Sequence, residues 1–148
     1  MKVDIVYWED EIGKKIKRVS VDASPFGIQV GMRAEWQMAV AAEDKEVKAQ
    51  MMVPIDIKPV DIPAKAIVLP CFFMRHALGI VTSLASLGRP LRVEDERRIS
   101  QVLFYPIQDG LIRKNELLAV INIFPAAMEE PLPNKEAVYR WMSQRYGD

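Results

Sequence analysis

Val53, Ile55 and Ile57 alternate with Pro54, Asp56 and Lys58, and Ala34, Trp36, Met38, Val40 and Ala42 recur at every second residue of an earlier stretch. A two-residue period sends successive side chains to opposite faces of an extended chain, so each stretch predicts a strand with one buried face. The Ala, Glu, Met and Gln residues of the 34–42 stretch also favour helix, but its alternation fits a strand better. Prolines around residue 55 place that segment at a sheet edge bordering solvent, because proline cannot donate to a ladder.

The same reading extends along the chain. Val3 to Trp8 is apolar and rich in β-branched and aromatic residues, Glu9 to Gly13 is polar turn material, and Ile16, Val19 and Val21 resume, which predicts an opening hairpin. Ile67 to Phe73 is apolar throughout and predicts a strand buried on both faces, bent at Pro70. In Leu78 to Leu87 the residues Ile80, Val81 and Thr82 prefer strand, while Leu78, Val81, Leu84 and Ala85 could line a helix; strand is the reading adopted. Glu94 to Arg98 predicts one helical turn, followed by a strand over Ile99 to Tyr105. Asp109-Gly110 is a turn dipeptide, Arg113 to Glu116 a second polar turn, and Leu117 to Phe124 the most apolar strand, stopped by Pro125.

Only the tail changes period. After Asn134, Val138, Trp141, Met142 and Arg145 fall on one face at helical spacing, predicting a C-terminal helix over about 135–146. Trp141 and Met142 need a docking surface on this domain or on a partner subunit, since so short a helix is marginal alone. There is also an internal echo. Val47-Lys48-Ala49-Gln50 precedes the strand around Ile55 as Ile112-Arg113-Lys114-Asn115 precedes the strand around Val120. A duplicated turn and strand suits a domain built from two similar halves. The expected fold is therefore mainly β, a small β-clip or barrel-like domain with a C-terminal α-helix, forming one globular unit over residues 1–148.

At 148 residues the chain is long enough for one real core, and with 50% apolar and 27% charged residues it lies far from the composition of disorder. Twenty basic residues balance twenty acidic ones, so no overall field draws in nucleic acid or an anionic membrane. The single Cys71 allows no internal disulfide, and no apolar run reaches the roughly 20 residues a membrane helix needs. A cytoplasmic location follows as the expectation.

The chain carries no phosphate-cradling loop, dinucleotide fingerprint, zinc-ligand spacing or nucleophile elbow, and with one His and one Cys no metal or cofactor is expected. The most suggestive stretch is Cys71 to Gly79, which sets the only cysteine and only histidine beside Arg75. In strand geometry Cys71, Phe73 and Arg75 share one face and Phe72, Met74 and His76 the other, so a thiolate–imidazole pair is disfavoured. A small thiol and a hydrogen-bonded histidine at a strand end are the simpler roles. Arg89 and the mixed charges of Glu94 to Arg98 could clamp a carboxylate or phosphate, or merely form a solvated turn. The ligand-binding candidates are thus Arg75, His76, Arg89 and Arg97. Asp109 reads as a turn former and Glu35 as a strand residue facing water. Met32, Met38, Met51, Met52 and Met74 crowd the first half and suit a soft interface.

Ala39-Val40-Ala41-Ala42-Glu43, the Val47-Lys48-Ala49 turn, Ile62-Pro63, Arg75-His76-Ala77-Leu78-Gly79 and Asp109-Gly110 with Leu117-Leu118-Ala119-Val120 together resemble the archaeal family known as domain of unknown function 22, over about residues 30–125. Lys114-Asn115-Glu116 stands where such a small barrel would more usually turn on Gly-Asp. The resemblance implies an archaeal cytoplasmic protein of unestablished role and supplies no catalytic residues. The expected function is a noncatalytic homo-oligomer that binds a small anionic molecule or a protein. The alternatives are a hydrolase acting on a nucleotide or other anionic metabolite at a subunit junction built from Arg75, His76 and an arginine of residues 89–98, and an accessory subunit of a larger complex.

Overall fold

The computed structural model describes residues 1–23, 26–30, 32–86 and 95–125, together with 139, 140, 143 and 144. Strands dominate. β1 (Lys2–Trp8) and β2 (Ile16–Asp22) form the expected hairpin, turned at Gly13 with φ of +84°. β3 (Phe26–Val30), β4 (Met32–Val40), β11 (Leu117–Pro125) and β7 (Ala66–Pro70) make a four-stranded antiparallel sheet in that order. β6 (Val53–Ile62), β9 (Arg97–Pro106) and β8 (Gly79–Ala85) make a three-stranded one, with β6 at an edge as its prolines required.

Side chains of both sheets meet in one buried cluster that includes Ala39, Ile55, Phe104, Leu118, Ile121 and Ile123. β11 is the most apolar strand because it lies between β4 and β7 and has neighbours on either side. A smaller cluster of Val3, Val40 and Leu117 fastens β1 to the body.

The echoed turns lie beside each other. β5 (Lys45–Val47) and β10 (Gly110–Ile112) pair antiparallel, Val47 opposite Gly110 and Lys45 opposite Ile112. The Asp44 carboxylate accepts the Lys114 N–H at 2.8 Å, and the Asp109 carboxylate accepts the Ala49 N–H at 2.8 Å. The Asn115 N–H reaches the Ala41 carbonyl at 2.9 Å, and the Gln50 N–H reaches the Pro106 carbonyl at 2.8 Å. Gln50 and Asn115 are both left-handed, with φ of 64° and 76°. Each turn is thus closed by the other half of the chain, as two related halves would be.

Several expectations need correction. The two sheets do not close into a barrel: β3, β7, β6 and β8 end their sheets as edges among the described residues. Ile67 to Phe73 is not buried on both faces. β7 is an edge strand that pairs only with β11 and turns Ile67 and Leu69 outward. The chain leaves the ladder after Pro70, so the strand geometry assumed for Cys71 to His76 does not exist, and Phe72 and Phe73 are 98% and 77% exposed. Arg97 and Arg98 begin β9 rather than ending a helical turn. Asp109-Gly110 is not a tight turn: Gly110 opens β10 at negative φ, and a Cβ there would lie 2.7 Å from Leu78 Cδ2, so that side chain would have to shift to admit one. The strand adopted for Leu78 to Leu87, by contrast, is found as β8. The helix expected over 135–146, with Trp141 and Met142, lies outside the described residues apart from Tyr139, Arg140, Ser143 and Gln144, which are exposed.

A methyl group added at Gly79 would meet the Tyr105 carbonyl oxygen at 2.2 Å and Pro106 Cα at 2.8 Å, both backbone atoms that cannot swing aside. Gly79→Ala is expected to lower the unfolding free energy by about 2–3 kcal/mol, and Asp44→Ala or Asp109→Ala by about 1 kcal/mol each, in urea titrations. Equal tolerance of all three would contradict the close β8–β9 approach.

Candidate functional site

The first hairpin meets the body where β1 passes both the 113–116 turn and the segment after β7. The Asp4 N–H donates to the Asn115 carbonyl at 2.9 Å and the Ala77 N–H to the Val6 carbonyl at 3.0 Å, with bridges from Asp4 to Glu116 and from Val6 to His76. At this junction lie the two buried polar residues of the described core, His76 and Glu116, each 1% exposed.

Their hydrogen bonds are complete. The Leu78 N–H donates to His76 Nδ1 at 3.1 Å, so the ring proton sits on Nε2 and is given to Glu116 Oε1 at 3.0 Å. The same oxygen accepts the Arg113 N–H at 2.8 Å, and Oε2 accepts Arg18 Nε at 2.9 Å. The His76 ring also stands edge-on to Phe104, 6.0 Å between centroids. Burial pushes the Glu116 carboxyl up, but hydrogen bonds from His76, the Arg113 N–H and Arg18 more than offset it and hold the group below its ordinary 4.5. The simple reading of His76, a hydrogen-bonded histidine beside a strand end, is what the geometry shows.

A cleft of about 300 Å³ opens between β1 and residues 74–77, lined by Tyr7, Trp8, Met74, Arg75, His76 and Leu117 among others. Two of its side chains carry buried N–H groups that reach no acceptor among the described residues: Trp8 Nε1 and Arg75 Nε. The Arg75 guanidinium carbon lies 5.8 Å from the Phe73 ring centroid, a cation–π contact. Beyond Met74 and Arg75, which line both, is a second cavity of about 150 Å³ walled by Cys71, Phe72, Phe73, Val81 and Leu118.

Of the candidates, Arg75 and His76 share the first cleft. Arg97 is elsewhere, donating to the Ala66 carbonyl at 2.6 Å and lining clefts with Asp61 and with Leu84. Arg89 lies outside the described residues. Cys71 is only half-buried and belongs to the second cavity. Glu35 accepts a hydrogen bond from Gln37. Sequence reasoning missed Trp8, Arg18 and Glu116. Glu116 looked like turn material, although a lone histidine in an apolar segment calls for a buried acceptor somewhere in the chain. No group of three or more metal-ligating side chains assembles among the described residues. No helix among them is long and apolar enough to cross a membrane.

Because the Glu116 carboxyl is held below its ordinary value, its contribution to stability is complete above pH 4.5 and is lost as pH falls through the depressed folded value. Glu116→Gln turns an amide N–H towards Arg18 and leaves that cation unpaired. It is expected to lower stability at pH 7 by about 3 kcal/mol and to flatten the acid limb of a plot of urea midpoint against pH. An acid limb unchanged in the variant would refute this assignment.

No solved structure matches this chain. A family model described as "Domain of unknown function DUF22" matches residues 2–110, reaching the N-terminal hairpin that the motif resemblance left out. The chain is also 26% identical over 114 residues to "Uncharacterized protein MJ0614" of Methanocaldococcus jannaschii, an alignment covering 77% of this chain and 87% of that protein. The chain belongs to the DUF22 family.

Proposed function

We propose that the chain is a noncatalytic cytoplasmic binding domain, one unit along its length, whose small-molecule ligand enters the cleft between β1 and residues 74–77. The observation that carries this reading is the pair of buried donors without acceptors, Trp8 Nε1 and Arg75 Nε, on side chains lining one cavity. A buried donor left unmade costs about 1–3 kcal/mol, and a ligand acceptor recovers that cost. A cleft of about 300 Å³ falls at the small end of ordinary ligand sites. The hydrolase alternative finds less support. Both His76 ring nitrogens and both Glu116 oxygens are already engaged in structural hydrogen bonds, and Arg97 is not in this cleft.

Association of copies, the other half of the reading, is supported by an apolar surface at the open end of the four-stranded sheet. Ile67 and Leu69 face outward from β7, and Phe72 and Phe73 follow its end exposed, four large apolar side chains within seven residues. Light scattering is expected to give a dimer or larger species for the native chain and a monomer for Phe72→Asp/Phe73→Asp. A monomeric native chain refutes this half.

For binding, differential scanning fluorimetry across a panel of small metabolites is expected to yield at least one compound that raises the midpoint. Trp8→Phe and Arg75→Gln should each abolish that rise. A panel without a stabilising compound, or a rise indifferent to both substitutions, would overturn the site.

A further inference from the structure

Resting on the binding reading above, we infer that the ligand is a small carboxylate with an apolar body, its oxygens held by Arg75 and Trp8 and its body lodged in the second cavity beyond Met74.

The recognised end is set by what the first cleft lacks. Its buried unpartnered groups are donors only, a tryptophan N–H and a guanidinium N–H, neither of which can accept, while Tyr7, which also lines the cleft, is exposed. His76, the other polar group of the inner wall, has both ring nitrogens occupied. Among the described residues no carboxylate lines the cleft and Arg75 has no ion pair, so its cation has the Phe73 ring beside it but no anionic partner. A neutral ligand would satisfy the donors and leave that charge uncompensated. A monoanion does both, and the planar fork of arginine matches the two oxygens of a carboxylate.

The other end is set by the neighbouring cavity. Met74 and Arg75 line both spaces, so a ligand bound at the guanidinium has the second space as its neighbour. That space is walled mainly by apolar and aromatic side chains. An apolar cavity of about 150 Å³ accommodates a body of roughly six carbons. Met74, with its unbranched and adaptable side chain, borders both spaces and can yield to the body.

Isothermal titration calorimetry with acetate, butyrate, hexanoate and neutral hexanamide tests both ends. Affinity is expected to rise about threefold to fourfold per methylene, roughly a hundredfold from acetate to hexanoate. Hexanamide should bind at least tenfold more weakly than hexanoate. Arg75→Met, which keeps the stem and removes the charge, should cost hexanoate tenfold or more and leave hexanamide unchanged. The unliganded midpoint of Arg75→Met is the folding control, and Arg75→Lys, with partial recovery of hexanoate binding, serves if Met lowers it. Equal affinity for hexanoate and hexanamide overturns the anion. Equal affinity for acetate and hexanoate overturns the apolar body. Either failure, with Trp8- and Arg75-dependent stabilisation by some other compound intact, sinks this inference and spares the binding reading. Stabilisation by no compound at all sinks both.

Discussion

A single buried carboxylate joins three parts of the chain that are remote in sequence. Glu116 accepts from Arg18 on the first hairpin, from His76 beyond β7 and from the backbone of its own turn. A charge in an apolar interior is costly unless its acceptor positions are filled, so the three donors and the carboxylate require one another. The hairpin has few fully buried apolar anchors, Val3 and Val6, and this network joins the backbone bonds at Asp4 and Val6 in fixing its angle against the body. The cleft exists because of that angle, since one wall is β1 and the other the segment that His76 holds in place.

Beneath this junction the structure is more symmetric than the composition suggests. Asp44 and Asp109 each bind the turn that follows the opposite short strand, and the left-handed Gln50 and Asn115 occupy matching positions. The halves differ in what surrounds those turns. Met51 follows Gln50 and is exposed, whereas Glu116 follows Asn115 and is buried against the hairpin. A site on one side of a near-duplicated framework follows from where the hairpin packs.

Much of the strand pattern was legible because a half-buried strand writes its burial into every second residue. Val53 to Ile57 is of this kind. Ala34 to Val40 is the expected strand but lacks the single buried face its alternation predicts, since Ala39 and Val40 are both fully buried while Trp36 and Met38 are only half-buried, and Leu117 to Phe124 shows itself by a continuous apolar run. Reading failed where a local cue has two meanings. An apolar run bounded by prolines reads as a doubly buried strand, yet Ile67 and Leu69 face outward from an edge, and Phe72 and Phe73 lie past its end. Asp before Gly reads as a tight turn, yet Asp109 caps another turn and Gly110 makes room for Leu78. His76 and Arg75 were visible as an unusual pair. Their partners and neighbours, Glu116 and Trp8, were not, because nothing in local sequence distinguishes a buried glutamate from a turn residue or a cleft tryptophan from a strand residue.

The sequence by itself determined the mainly β class, most of the strands, the opening hairpin and the likeness of its two halves, since periodicity and turn chemistry act over a few residues. Tertiary structure alone decided that the sheets do not close among the described residues, that the Glu116 charge is buried and shared, and that Trp8 and Arg75 line one cleft. Those outcomes depend on contacts between residues dozens of positions apart, whose energies come from desolvation and hydrogen-bond closure once the chain has folded.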